Sequence, residues 1–177
     1  MTFRRCLACH SRAHTEELIP LHLTEGGSLG VGRAPQGRGG WVHPRCVHAA
    51  VGRPSGFHRC FRAKTHGAAE LPRRIESWMI VTLRRHLRRA LNDGLAGKKS
   101  AGPTDNAALT IRSSAHPNAE AMPDKTTIYE ASTCVFQLDH ALMSQILDQG
   151  PCLELKINAG RSTHGLLRSL RAWDRWG

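Results

Sequence analysis

Two short pairs of cysteine and histidine constrain the fold of this 177-residue chain more than any other feature. Cys6 and Cys9 are separated by two residues, and so are His43 and Cys46. Structural zinc is held by four thiolate or imidazole ligands in a tetrahedron, and two pairs with this spacing can supply them. A cysteine pair on a tight turn, then a hairpin, then a pair where a strand leads into a helix, is the layout of a treble-clef zinc finger. Because four protein ligands fill the coordination shell, we expect a structural zinc and not a catalytic one.

Alternatives to this ligand set remain open from the sequence. His10 and His48 are neighbouring candidates for the fourth ligand. Another interpretation is that all four are ordinary residues, with His43 and Cys46 buried near a turn. The three other cysteines lie in apolar surroundings and are expected to be buried thiols; they are Cys60, Cys134 and Cys152.

The sequence predicts a cytoplasmic protein without a membrane partner. Residues 1–10 are basic but lack the apolar stretch and cleavage site of a signal peptide. No apolar run approaches the roughly 18–20 residues that span a bilayer. In a reducing compartment cysteines serve as metal ligands or buried thiols more often than in disulfides.

The positive charge is concentrated in the first half of the chain. Residues 1–99 contain 18 lysines and arginines against 6 acidic residues, whereas residues 100–177 contain 7 against 8. The whole chain carries a formal charge of +11. A one-sided excess indicates an anionic partner for the basic half. A surface that only keeps the protein soluble is the other interpretation, although mixed charges would serve that purpose equally.

The predicted class is α/β in the α+β sense, with four regions: a small sheet-and-helix domain over 1–66, a long basic helix over 67–95, a linker over 96–125 and a small β-α-β-α domain over 126–177. Within the linker, residues 106–113 could hold a short element. In the first region Pro20 should restrict the strand over residues 18–23 to an edge of its sheet. Apolar residues recur with a period near 3.6 from Leu71 to Asn92, with arginines mostly off that stripe and Gly94 as the stop. The arginines of residues 84–89 are expected to face solvent.

The segment Gly37-Arg38-Gly39-Gly40 is interpreted as a glycine-rich turn. Backbone N–H groups without side-chain shielding can form an anion-binding nest there, and Arg38 adds a forked donor for phosphate. We expect Gly39 to be sensitive to substitution if it has a positive φ. The following Trp41 could stack on a base if exposed or lie in the core.

Several of these motifs together resemble the YlxR family of small bacterial proteins regarded as nucleic-acid-binding. The resemblance covers about residues 3–64. It is carried by Arg4-Arg5-Cys6-x-x-Cys9, by Glu17-Leu18, by Gly37 to Val42 and by Phe57-x-x-x-Phe61-Arg62. It implies a compact α/β unit with a small sheet and short helices. Members with a Cys-Pro pair after the turn would place ligands where His43 and Cys46 stand.

The resemblance also implies a class of partner. YlxR proteins are linked to RNA, including ribonuclease P RNA, and to transcriptional regulation, so structured RNA is the expected partner. This sequence departs from the family at residues 51–56, which interrupt the usual helical stretch. The second half, with Ala96 to Gly102 at its entry, is faintly similar to the kink-turn-binding ribosomal-protein domains that some members carry.

We therefore expect an RNA-binding protein that is not an enzyme, an accessory or regulator of RNA processing, transcription or translation. The zinc-deaminase signature is absent, and neither paired carboxylates nor a Ser/His/Asp arrangement can be argued from spacing, so no small-molecule substrate is expected. The alternative is a zinc-stabilised protein-interaction module that docks on a ribonucleoprotein. The residues expected to contact RNA are Arg4, Arg5, Gly37, Arg38, Gly39, Gly40, Trp41, Arg45, Arg62 and Lys64.

Overall fold

The computed structural model describes residues 2–33, 38–93, 96–97, 107–113, 128–130, 133–138, 141, 143–144, 154–158 and 161–176. The chain forms two compact units. The first unit comprises Met1–Met79 with Arg175–Gly177, and the second comprises Ile80–Asp174. Helices and mainly antiparallel strands occur in both, which confirms the α+β class.

The first unit contains a two-stranded ribbon and a three-stranded antiparallel sheet. The ribbon pairs β1 (Phe3–Arg5) with β2 (Arg12–His14). A 3-10 helix at Thr15–Glu17 leads into the sheet. The sheet has the order β4-β3-β5, with β3 at Ile19–Leu23, β4 at Leu29–Val31 and β5 at Gly39–Val42.

The prediction that Pro20 restricts its strand to a sheet edge is wrong, because β3 is the central strand. The N–H and C=O of one residue in a strand point to the same side. Pro20 accepts a hydrogen bond at 2.8 Å from the N–H of Gly32, so its missing N–H also faces the β4 side. The β4 ladder ends there, at the pairing of Leu21 with Val31. A proline is tolerated here because β5 pairs with β3 at this position and β4 does not.

A tight hairpin joins β3 to β4. Gly27 has a φ of +75°, a conformation that glycine adopts without penalty. The Thr24 N–H donates to Ser28 O at 2.9 Å, and the Gly27 N–H donates to Thr24 O at 2.9 Å. These bonds close the turn and set the register of the two strands.

Two short helices follow the sheet, as the sequence predicts. A 3-10 helix at Pro44–Cys46 continues into α1 (Val47–Val51), and α2 spans Ser55–Phe61. Proline suits the first position of a helix because its missing N–H has no partner there. Phe57 and Phe61 are buried on one face of α2. The residues between the helices are those at which the sequence departs from the YlxR pattern.

The long helix α3 spans Leu71–Asn92, as its periodicity predicts. Its apolar stripe is buried over the whole length at Leu71, Ile75, Met79, Leu83, Leu87 and Ala90. Arg85, Arg88 and Arg89 are exposed, whereas Arg84 is half-buried, so the expectation that all four arginines face solvent is wrong for Arg84. That residue lies one position past Leu83, at the margin of the stripe. The predicted stop, Gly94, lies outside the described residues.

The second unit is built on a five-stranded sheet of order β6-β10-β7-β9-β8. Its strands are β6 (Ala96–Gly97), β7 (Ala107–Ser113), β8 (Ile128–Glu130), β9 (Thr133–Leu138) and β10 (Glu154–Asn158). Among the described strands of this sheet, β7 and β9 alone pair in parallel. The short element that the sequence allows over 106–113, within the predicted linker, is β7, the central strand of the sheet. Pairing with β9 and β10, which follow it in sequence, orders this segment.

Two helices cover this sheet. The residues of α3 from Leu83 to Ala90 join Leu166 and Leu170 of α4 (Arg161–Asp174) in one apolar core with the sheet residues Ile111, Phe136 and Ile157. The first helix of the predicted β-α-β-α domain is described at residues 141, 143 and 144, which are helical, and its other residues lie outside the described residues. Among the helices that the structure describes, none is both long and apolar enough to span a membrane.

Candidate functional site

The first ligand pair lies on the turn that joins β1 and β2. The Cys6 N–H donates to Ser11 O at 2.9 Å, and the His10 N–H donates to Cys6 O at 3.0 Å. His10 closes the turn with a φ of 61°. The Leu7 N–H donates to Trp41 O at 2.8 Å, which fastens the turn to β5. These bonds hold Cys6 and Cys9 beside the end of the strand that delivers the second pair.

The second pair lies where β5 gives way to the helical segment. His43 follows β5 directly and precedes Pro44. The Cys46 N–H donates to His43 O at 2.9 Å, so one tight turn brings the two side chains together. Their connection to the first pair is direct, because the His43 N–H donates to Cys6 Sγ at 3.5 Å.

The four side chains converge as the sequence spacing predicts. Their ligand atoms, three Sγ atoms and one imidazole nitrogen, all lie within 4.8 Å of one another. Nδ1 of His43 is 3.4 Å from Cys9 Sγ and 3.9 Å from Cys46 Sγ. Tetrahedral ligands of zinc lie roughly 3.3–3.8 Å apart, so a small contraction would close the shell. The group could hold a metal ion.

Burial in this cluster is graded. Cys6 is fully buried and His43 is 8% exposed, whereas Cys46 is half-buried and Cys9 is exposed. Of the described residues, the cluster contains only the four predicted ligands, and neither His10 nor His48 belongs to it. The imidazole and the thiols contact one another, so the two pairs form one group.

The acidities of the thiols reflect their crowding. Burial acts to raise the pKa of Cys9, but hydrogen bonds from Ser11, Cys6 and His43 together lower it to about 6. Burial raises the pKa of Cys46 to about 11, and the neighbouring Cys6 and Cys9 add to the shift. Three thiolates in so small a space repel one another. A cation at the centre would remove this repulsion and displace the thiol protons.

The arginines and the lysine that the sequence predicts at an RNA surface are exposed. They are Arg4, Arg5, Arg38, Arg45, Arg62 and Lys64. Arg5 precedes Cys6 directly, and Arg45 lies between the ligands His43 and Cys46. Two of the six cations therefore adjoin the Cys/His cluster in sequence. Arg62 ends α2 in the left-handed conformation, with a φ of 52°.

The interpretation of Gly37 to Gly40 as a glycine-rich turn is wrong for its second half. Gly39 and Gly40 belong to β5 and pair with His22 and Leu21 of β3. Gly39 is not among the glycines with positive φ, so the expected reason for its sensitivity is absent. Gly37 lies outside the described residues. Trp41 is half-buried. It therefore lies between the two alternatives that the sequence left open, an exposed ring that could stack on a base and a ring in the core.

Gly40 has a different role, which the sequence did not reveal. It is buried, and a Cβ atom at this position would lie 2.8 Å from Leu7 Cδ1, 3.2 Å from Phe61 Cζ and 3.3 Å from Cys60 Sγ. The glycine lets β5 approach the cysteine turn and α2 closely. Cys60 itself is half-buried. Burial raises its pKa, and the positive charge of the nearby Arg38 partly opposes that rise. Cys134 and Cys152 have no described side chains.

Phe3 and Arg12 are surface residues that sequence reasoning missed. Phe3 is 55% exposed, and Arg12 is exposed beside it on the ribbon. The segment around Phe3 is too short to show a strand period, so only the register of β1 and β2 brings these two residues onto one face.

Comparisons of the chain with protein-family models, with curated proteins and with solved structures found no match.

Proposed function

We propose that this protein binds RNA through the first unit, whose fold is held by one structural zinc ion, and that it acts as a non-catalytic accessory of RNA processing, transcription or translation. The observation that carries the proposal is the set of exposed cations on the unit that contains the Cys/His cluster. Within the part of the chain that the structure describes, none of Arg5, Arg38, Arg45, Arg62 and Lys64 forms an ion pair with a carboxylate. Unpaired surface cations concentrated on one unit suit a polyanion.

Zinc is the metal that the donor set favours. Three thiolates and one imidazole are soft to borderline ligands, which zinc takes in a tetrahedron. Cys6, Cys9, His43 and Cys46 would hold the ion and occupy all of its positions. Its contribution would be to tie the turn between β1 and β2 to the start of the helical segment. The helices α1 and α2 have five and seven residues and are too short to persist without such support.

The resemblance to YlxR proteins points to structured RNA, with ribonuclease P RNA as the first one to test. Phosphate contacts position the protein on an RNA duplex or on a folded RNA without recognising the base sequence. The exposed cations listed above support such contacts. Their arrangement does not require a base-specific interaction.

A salt titration tests the proposal. The full chain is mixed with labelled ribonuclease P RNA and with an unrelated structured RNA of equal length, and affinity is measured between 50 and 300 mM salt. We expect binding to weaken steeply, with log affinity falling by roughly 0.7–0.9 per phosphate contact for each unit of log salt. Absence of binding to naked RNA at low salt, with capture by an assembled ribonucleoprotein, would favour the protein-interaction module instead.

A further inference from the structure

The ribbon of β1 and β2 presents one outward face with a defined composition. Phe3 is opposite His14, Arg4 is opposite Ala13 and Arg5 is opposite Arg12. Residues directly opposite share a face, and alternate residues of a strand share it too. Phe3, Arg5, Arg12 and His14 therefore form one face, which we call the ribbon face. Ala13, on the other side, is buried, so the ribbon face is the one turned away from the unit.

The ribbon face contains a like-charge pair without compensation. Arg5 and Arg12 are directly opposite across the strands, an arrangement that destabilises a ribbon. Both are exposed, and neither forms an ion pair with a carboxylate of the described residues. Glu16 approaches His14 of this face, with its Oε2 atom 3.8 Å from Nδ1 of His14. Two guanidinium groups in this position are best satisfied by phosphate, which can accept a forked pair of hydrogen bonds from each.

The same face contains an aromatic ring that packing leaves accessible. Phe3 and Val81 are the two large apolar side chains that stand out as exposed among the described residues. The ring of Phe3 meets the imidazole of His14 edge to face, with centroids 5.6 Å apart and planes at 87°. The Glu16 N–H donates to Nδ1 of His14 at 3.4 Å, which positions the imidazole. The His14 contact braces the Phe3 ring while more than half of the residue stays exposed.

We propose that the ribbon face binds an unpaired segment of RNA, with a base stacked on Phe3 and the adjoining phosphates held by Arg5 and Arg12. Every base has a π-face, so an exposed ring flanked by cations binds single strands with little dependence on sequence. An acidic peptide would satisfy the arginines but would leave the ring without a partner. The inference rests on the proposed RNA-binding function and adds that part of the target is single-stranded.

The test compares two probes and matched variants of the full chain. The probes are a labelled ten-nucleotide oligouridylate and a twelve-base-pair RNA duplex. Phe3→Ala should weaken oligouridylate binding by roughly 5- to 100-fold, in line with the loss of one stacked base, and leave duplex binding within twofold. Phe3→Tyr keeps a ring and should bind as wild type does. Arg12→Ala should weaken binding and reduce the salt slope for the oligonucleotide by roughly 0.7.

Metal content and melting temperature, measured on each variant, identify a variant that has lost its fold. If Phe3→Ala binds oligouridylate as wild type does, or loses affinity equally for both probes, the ribbon face is not a stacking surface. A glutamate decapeptide that binds the face equally well, with Phe3→Ala without effect, would assign it to an acidic protein and overturn the inference. If the wild type binds structured RNA and the ribbon-face variants bind as it does, this inference alone is refuted. Failure of the wild type to bind any RNA refutes the proposed function.

Discussion

The first unit and the second unit obtain their stability in different ways. The second has a five-stranded sheet covered by the 14-residue α4 and by the C-terminal part of α3, with one continuous apolar core. The first has strands of three to five residues, two helices of five and seven residues and the first part of α3, and its three cysteines and one histidine could hold a metal ion. Short elements bury little each, so a metal link has most to contribute in the first unit.

Charge differs between the units as well. Residues 1–79 with 175–177 contain 13 lysines and arginines against 5 acidic residues, whereas residues 80–174 contain 12 against 9. Mutually repelling cations oppose folding, and Arg5 and Arg45 neighbour the Cys/His cluster in sequence. We expect a metal cross-link, which does not depend on burying apolar area, to let the first unit keep an exposed cationic surface. The comparison predicts that metal removal, core changes and surface changes act on one unit at a time.

The largest effect is expected from Cys6→Ala, which removes the buried ligand. Structural zinc sites contribute apparent binding free energies of about 10 kcal/mol or more, so we expect the first unit to unfold and the second to persist. Amide hydrogen exchange resolves the two units residue by residue. Cys60→Ala is the control, since Cys60 lies outside the cluster and is half-buried. Simultaneous loss of protection in both units would show that they are not independent.

The next effect concerns two adjacent glycines. Gly40→Val should destabilise the first unit by about 1–3 kcal/mol or more, because the added carbons meet Leu7, Cys60 and Phe61 within the core. Gly39→Ala is the matched control, since its Cβ would meet only Leu21 O, at 3.5 Å, an ordinary contact. Chemical denaturation measures both variants. If the two variants were equally destabilised, close packing around Gly40 would not explain the effect, and a strained turn at Gly39 would explain it instead.

Arg38→Ala should affect RNA binding and leave stability unchanged. Arg38 is exposed, and loss of charge-assisted hydrogen bonds to phosphate costs about 1–3 kcal/mol of binding free energy. Arg171→Ala in the second unit removes an exposed arginine from α4 and should change affinity little. Binding assays and thermal melting are compared for the two variants. Unchanged affinity with a lowered melting temperature would make Arg38 a brace of β5.

The smallest effect is a pH dependence confined to the second unit. Burial lowers the pKa of His86, and the positive charges of Arg168, Arg85 and Arg89 add to the shift, while a hydrogen bond to Gly165 opposes it. Nδ1 of His86 lies 2.9 Å from Ser169 Oγ. The folded state favours the neutral ring, so its contribution to stability is present above the ordinary pKa of about 6.5 and declines as pH falls below it.

Denaturation of the second unit between pH 5 and pH 7.5 measures this dependence. In the wild type, stability should fall with pH, and in His86→Gln this component should be absent. His164→Gln is the control because His164 is exposed on α4. A slope that persists in His86→Gln and disappears in His164→Gln would assign the pH dependence to His164 and contradict this prediction.

The sequence was most informative where a pattern repeats locally. The stripe of α3 extends over 22 residues, so its bounds followed from periodicity alone. The metal cluster followed from two short spacings, because each pair lies on one turn. The errors concern pairings between distant segments: Pro20 in a central strand, Gly40 against α2, and β7 in the middle of a sheet. Neither residue type nor composition reveals such contacts before the chain has folded.

We expect the first unit to bind RNA only when a metal stabilises its fold. Zinc content and RNA affinity are measured on the same sample before and after a chelator is added, and amide hydrogen exchange reports on each unit separately. We expect one zinc per chain, loss of RNA binding and of protection in residues 2–79 on chelation, full recovery when zinc is returned, and unchanged protection around Ile111 and Leu166. A protein that contains no metal and binds RNA equally well with and without the chelator would contradict the account.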